Sequence, residues 1–348
     1  MKRVLTLLFV LLVVLSFYPT CCYAAESQGF PFAVEMISPT NQIGTVGYYH
    51  VPGEPGEQIT LMAKLTNLTS QSLEIKVVSL NAYSSQDGIF YQSPLEVNLQ
   101  VYALVDGKYG IAQYMTGMDP TTLLPNQTEV VSFSVAVPYL NIGSLLGGIR
   151  FVVFEGTQAL QIADKQNGNA QILLDKYQAI DTAIQIDLPQ KVKSSIAVGD
   201  PTFYADKIDV SMWIINQAAI IQENISGTYE IRDKENIVLF NGIIKAFKMS
   251  PMAKFQYPMS WQYKTLEEGT YTLSLKLNVN GEEIIFDKPF VIDKQDVTEA
   301  QQAQEKINPE IKARYPLWFW FVIGLFIIVI IIILIKYLRL KRLGNRKK

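Results

Sequence analysis

The segment Leu317–Ile335 contains no polar side chain, and that run constrains the chain more than any other feature. About 20 consecutive apolar residues cross a hydrocarbon core of about 30 Å, and only a helix satisfies its own backbone there. Ile and Phe occur all round this helix, so it has no polar face to turn towards water. Tyr315, Trp318 and Trp320 stand at one end, where amphipathic rings settle at headgroup level. Lys336, Arg339, Lys341, Arg342, Arg346, Lys347 and Lys348 follow the other with no acid among them. The positive-inside bias therefore places the C-terminus in the cytoplasm. The pattern predicts a transmembrane helix at 316–337 and a basic cytoplasmic tail at 338–348, too short to hold a folded domain.

The N-terminus carries a second membrane-directed signal. Met1-Lys2-Arg3 precede an apolar run from Val4 to Leu15 broken only by Thr6, and the small pair Ala24-Ala25 follows. A basic start, an apolar stretch too short to span and small residues near the cut make an export signal over 1–25. Cys21-Cys22 would suit lipidation, but Tyr18-Pro19-Thr20 before them lacks the Leu and small residues of a lipidation signal. The two ends together predict a type I single-pass protein with residues 26–315 outside the membrane.

Those 290 residues have the length of two ordinary domains. Two of the 30 basic residues lie in the leader and seven in the tail, so 21 face all 32 acids outside, a net of about −11. Such an exterior disfavours nucleic acid and other polyanions. Both cysteines lie in the leader, so the exterior can form no disulfide, which for an exported protein points to a bacterium and, with a membrane-retained product, to a Gram-positive one. The sequons at Asn67, Asn126 and Asn224 are then chance matches.

Outside the membrane the dominant period is two. Ile59, Leu61, Ala63 and Leu65 alternate with polar neighbours; so do Leu73, Ile75 and Val77, and Val131, Phe133, Val135 and Val137. This is the pattern of half-buried strands. Turn signals separate them, among them Pro52-Gly53-Glu54-Pro55-Gly56, Asp87-Gly88 and Asp106-Gly107. A more polar stretch, Asp164 to Gln171, precedes a second series that includes Ile208, Val210 and Met212 and ends in Tyr271, Leu273, Leu275, Leu277 and Val279. Asn280-Gly281 predicts a type I′ hairpin into Glu283–Val291. Leu266-Glu267-Glu268-Gly269-Thr270-Tyr271 is similar to the corner before the sixth strand of immunoglobulin-like domains. The expected architecture is all-β: two consecutive immunoglobulin-like β-sandwiches, 26–157 and 158–293, a helical or flexible stalk at 294–315, and the single C-terminal transmembrane helix.

A search for chemistry returns no catalytic, cofactor or metal residue. His50 is the only histidine, so a Cys/His zinc site is out of reach, and no Gly-x-Ser-x-Gly elbow supplies it with a nucleophile. Glu35, Asp87, Glu96 and Asp119 could converge as glycosidase carboxylates, but read more simply as solvated loop and strand-end acids. Asp87-Gly88 and Asp106-Gly107 lack the spacing of a calcium loop and read as turns. Phe30, Phe32, Tyr48, Tyr49, Phe90, Tyr91, Tyr109 and Tyr114 crowd the first domain; some must be core, and tyrosines at strand ends could stack on sugar rings.

Several stretches, taken in order, resemble one family. They are Phe32-Ala33-Val34-Glu35, Pro39-Thr40-Asn41-Gln42, Gly47-Tyr48-Tyr49, Pro55-Gly56-Glu57-Gln58, the strand ending in Asn67, Ala82-Tyr83, Asp87-Gly88-Ile89-Phe90-Tyr91 and Gly147-Gly148-Ile149. Further on come Lys176-Tyr177, the strand ending in Asn216, Met249-Ser250-Pro251 and Gly269-Thr270-Tyr271. The order resembles the WxL-interacting proteins of Gram-positive bacteria. The family usually reads Met-Ala-Pro-Asn-Ser where this chain has Met249-Ser250-Pro251-Met252-Ala253. The resemblance implies a non-enzymatic cell-surface protein whose first domain binds peptidoglycan, whose second engages host extracellular-matrix or partner proteins, and which assembles with secreted WxL-domain proteins. The rival readings are a structural stalk or assembly factor for a surface complex and a wall-glycan hydrolase. Ligand-binding residues stay unassigned, and the named functional positions are the anchor flanks Tyr315, Trp318, Trp320, Lys336 and Arg339.

Overall fold

The computed structural model describes residues 29–164, 168–262 and 265–307, with the backbone alone described over 155–176. The expected leader, the expected transmembrane segment and the expected anchor flanks Tyr315, Trp318, Trp320, Lys336 and Arg339 lie outside the described residues. Among those described, no helix is long and apolar enough to cross a membrane.

Nineteen strands, one α-helix and two short 3-10 helices, Gly107–Tyr109 and Ile111–Tyr114, are described. In chain order the strands are β1 (Phe32–Ile37), β2 (Tyr49–Pro52), β3 (Gln58–Asn67), β4 (Leu73–Ser85), β5 (Gly88–Gln92), β6 (Tyr102–Leu104), β7 (Met115–Thr116), β8 (Thr121–Leu123), β9 (Thr128–Ala136), β10 (Ser144–Asp164) and β11 (Gly168–Asp187). They continue as β12 (Ile196–Val198), β13 (Thr202–Tyr204), β14 (Asp209–Asn216), β15 (Gln222–Arg232), β16 (Val238–Met249), β17 (Ala253–Ser260), β18 (Gly269–Val279) and β19 (Glu282–Ile292), and helix α1 (Lys294–Ile307) follows.

The first sandwich stacks the sheet β1-β3-β9-β7 on β2-β11-β10-β4-β5, with β8 paired to β4. Alternation decides which face of each strand is buried: Ile59, Leu61, Ala63 and Leu65 on β3 meet Phe133 and Val135 on β9 and Ile149 and Phe151 on β10 in one core. Burying a side chain the size of Phe151 contributes about 1.5–3 kcal/mol. The second sandwich stacks β12-β14-β17-β6, with β13 on β14, against β16-β15-β18-β19. Its core joins Val210, Met212 and Ile214 to Leu273, Leu275 and Leu277.

The hairpin expected at Asn280-Gly281 forms, both residues taking positive φ (53° and 94°) as a type I′ turn requires. The expected corner forms as well: the Tyr271 hydroxyl donates to the Glu267 carbonyl at 2.8 Å.

Three features depart from two independent beads and a stalk. The boundary expected after residue 157 falls inside β10, which pairs in register with β11 from Ser144↔Asp187 to Asp164↔Gly168. Ile184–Asp187 of β11 then lie parallel to β2, so 168–187 return to the first sandwich. The polar stretch between the two strand series thus carries the ends of two paired strands, Asp164 opposite Gly168, and composition cannot distinguish such strand ends from a linker. Second, β6 leaves the first sandwich and pairs with β17 of the second, Tyr102 opposite Phe255 and Leu104 opposite Ala253. Third, the start of the 294–315 stretch is a helix that packs on the second sandwich. Asp293 and Asp296 cap it reciprocally, each carboxylate accepting from the other's amide. Ala300 is buried against the core and Val297 packs beside it.

Candidate functional site

One surface of the first sandwich collects polar and aromatic side chains. Along β10 the residues Ile149, Phe151 and Val153 enter the core, which turns Gly148, Arg150, Val152 and Phe154 to the outer face. Their partners on β11 are Ala183, Asp181, Ala179 and Tyr177. Arg150 is the one arginine between Arg3 and Arg232. It makes a two-pronged bond to Asp181, Nε to Oδ1 at 2.8 Å and Nη2 to Oδ2 at 2.9 Å, with Glu96 at 3.8 Å on its other side. Gln92 donates to that Glu96 carboxylate at 2.8 Å. The bond to Asp181 is the largest cause holding the guanidinium above its ordinary range.

The glycine pair serves both faces of the same strand. A Cβ on Gly147 would collide with Ile111 of the core, whereas one on Gly148 would meet the Thr182 carbonyl at 2.8 Å and the Tyr91 ring at 3.5 Å. Tyr91 therefore lies over Gly148, and burial raises its phenol to about 12. Next to it, Tyr48 stacks on His50 with centroids 6.1 Å apart. At the opposite end of the face, Phe154 and Tyr177 stand across from each other and are 55% and 57% exposed. A β-bulge follows at Phe154/Gly156, where the β10–β11 hairpin runs on beyond β4.

His50 also reaches Asp187, Nε2 to Oδ2 at 2.8 Å. Ser144 and Gln185 donate to the other oxygen of the same carboxylate at 2.9 and 3.0 Å. Burial pushes the Asp187 carboxyl up, but the bonds from Gln185, His50 and Ser144 outweigh it and leave it below the usual carboxylate range. Serine and histidine both bond the acid and not each other, so the trio lacks the base-to-nucleophile contact of a hydrolytic triad. Sequence reasoning did not find Asp187, Ser144 or Asp181. Arg150 left a trace, as a lone cation between core residues of an apolar strand.

The acids weighed as a glycosidase pair are scattered. Glu35 on β1 is paired with Lys64, and Glu96 sits at Arg150 on the other sheet. Asp119 lies beside β9, and Asp87 occupies the β4–β5 turn. Among the described residues no group of three or more His, Cys, Asp or Glu could hold a metal ion. Of the aromatics, Phe32 and Tyr49 are core and Phe30 is exposed. Phe90 packs edge-on to Tyr102, and Tyr109 and Tyr114 donate to the Ile142 and Lys108 carbonyls.

The seam between sandwiches holds a cleft of about 570 Å³ lined in part by Asp87, Phe90, Tyr102, Lys207, Asp209 and Phe255. Asp209 is 7% exposed and accepts from Ser211 at 2.9 Å. Burial pushes its carboxyl up, with the Ser211 bond and Lys207 acting the other way.

The strand-end asparagines explain part of the motif order. Asn67 closes β3 with its amide donating to the carbonyls of Gln71, Leu123 and Leu124 and its oxygen accepting from Thr69. Asn216 closes β14 in the same way, donating to Ile220 and Ser250 and accepting from Ala218. Both are fully buried, whereas Asn126 and Asn224 are exposed at positive φ.

Comparison with solved structures returns chaperones at low similarity. The CupB2 chaperone of Pseudomonas aeruginosa aligns with 12% identity and a TM-score of 0.22, covering 66% of this chain and 91% of that one. The DraB chaperone of E. coli aligns with 10% identity and a TM-score of 0.26, covering 75% and 98%. At these scores the likeness carries no argument about this chain. No curated protein matches. Two family models do: the peptidoglycan binding domain of the WxL Interacting Protein over residues 32–152 and its host binding domain over 182–302. Both describe binding domains and not enzymes, and the first ends on the β10 stretch that carries Gly148 and Arg150. With one model on each sandwich, in that order and over most of the chain, the chain belongs to the WxL-interacting protein family.

Proposed function

We propose that this chain is a membrane-anchored surface scaffold that binds peptidoglycan through its first sandwich and engages a second partner through the other. Peptidoglycan and host binding stand at the level of the family. The finer reading is that secreted WxL-domain proteins are the working partners, that host matrix proteins are further ligands, and that a type I transmembrane anchor holds the ectodomain at the outer face of the membrane. The observation that carries it is the seam. β6 of the first sandwich completes a sheet of the second, so a load on one domain is transmitted to the other through backbone hydrogen bonds and not through a loose linker. That is a mechanical property suited to a bridge between wall and partner.

The test is retention of the full-length protein, purified in detergent, on insoluble peptidoglycan, followed by capture of a purified WxL-domain protein on the loaded wall material. Retention with capture is the expected result. Failure of the protein to stay on peptidoglycan removes the wall-binding half, and retention without capture removes the partner half.

A further inference from the structure

We propose that the outer face of the β2-β11-β10-β4-β5 sheet is the glycan-contacting surface, taking the sugar backbone of peptidoglycan and not its peptides; this rests on the peptidoglycan reading above. The face has two aromatic stations. Tyr91 over Gly148, with Tyr48 beside it, forms one, and the exposed pair Phe154 and Tyr177 forms the other. They lie six residues apart along β10, about 20 Å at the rise of a strand, a span that several sugar rings would occupy. The C–H groups on the flat side of a pyranose carry slight positive charge and pack on the negative face of an aromatic ring. Hydroxyl and acetamido groups at the ring edge seek fixed planar donors and acceptors.

Arg150, Asp181, Glu96 and Gln92 supply those groups between the stations, already held in place by the two-pronged ion pair. Side chains fixed before the ligand arrives lose less freedom on binding. The missing side chain at Gly148 lets Tyr91 lie close against the strand, and a bulge follows Phe154 where β10 and β11 run on beyond β4.

The chemistry of the face selects its occupant. A protein partner would be expected to meet a contiguous apolar centre depleted of charge, whereas the middle of this face is an ion-pair network. A polyanion is opposed by an exterior of about −11. An uncharged sugar backbone satisfies both conditions.

The test uses the full-length protein in detergent with two solids: intact insoluble peptidoglycan, and the same glycan freed of its stem peptides by an amidase, its lactyl carboxylates capped as methylamides and its strands coupled to beads. Wild type is compared with the double variant Phe154→Ala, Tyr177→Ala, with Arg150→Gln, and with the control Tyr139→Ala, which removes a 91% exposed ring elsewhere on the domain. Circular dichroism and melting temperature establish that each variant is folded. The proposal expects wild type and the control to bind both solids, and the double variant to bind about tenfold more weakly, the loss of two stacked rings. Arg150→Gln is expected to weaken binding on both solids. Binding by wild type with the double variant unimpaired overturns the site alone. Binding that disappears with the stem peptides overturns the glycan assignment. Absence of wild-type binding to either solid overturns the peptidoglycan reading and this surface with it.

Discussion

The backbone amide of Ser250 donates to the Oγ of Ser84 at 2.9 Å, and both residues are buried where the two sandwiches meet. Around this bond the Met252 amide donates to Ala218, the Val105 amide to Met252 and the Ser144 amide to Ala219. The Met249-Ser250-Pro251 turn is thus part of the latch between domains, in which the Ser250, Val105 and Ser144 amides each take an acceptor across the seam.

Ser84→Ala leaves the buried Ser250 amide without an acceptor. The expected cost is about 1–3 kcal/mol, the desolvation penalty of an unpaired group. Chemical denaturation of the full-length protein measures it, and limited proteolysis at the seam should accelerate.

Asn216→Ala frees the carbonyls of Ile220 and Ser250 together with the Ala218 amide, at an expected cost of about 2–4 kcal/mol. Ser250 is bonded by both Asn216 and Ser84, so the double variant should depart from the sum of the single ones in a mutant cycle. Asn67→Ala should cost a similar amount by the same device without disturbing the seam.

A half-buried acid, Asp187, and a buried one, Asp209, give opposite pH signatures. The folded-state pKa of Asp187 is lowered, so its charge stabilises the fold above the unfolded carboxylate value and that contribution is lost as pH falls through the folded one. Asp187→Asn should therefore melt earlier than wild type at pH 7, the gap closing below about pH 4. Asp209 is raised by burial, so its contribution is present below the unfolded value and lost as pH rises. Asp209→Asn keeps an acceptor for Ser211 without the charge and should melt later than wild type at pH 7, with no gain in acid. Melting temperatures from pH 3 to 8 decide both.

Met252 has φ of +47°, a conformation that costs an ordinary L-residue about 1–2 kcal/mol and that asparagine tolerates better. Asparagine is what the family usually carries there. Met252→Asn should raise stability by about 0.5–1 kcal/mol, net of the lost Met contacts, as read by denaturation midpoint.

Several strands and turns were legible in the local sequence. Period-two alternation predicted β3, β9 and β18, because the inward side of a strand must be apolar whatever it packs against. Asn280-Gly281 predicted its turn, since few other pairs accept positive φ at both positions. Leu266 to Tyr271 predicted the corner that Tyr271 and Glu267 close. Membership of the family was legible in the order of short motifs, though not in any one of them. Tertiary structure alone decided which residues share a surface. Asp181 and Arg150 are 31 positions apart and His50 and Asp187 are 137 apart; nothing local specifies either pair, because the register of β10 on β11 and the parallel docking of β2 on β11 bring them together. The same holds for β6, whose three residues carry no sign that their partner is β17. Local sequence selects a strand and its buried side, while the choice of neighbouring strand is a competition among distant edges that only the packed core resolves.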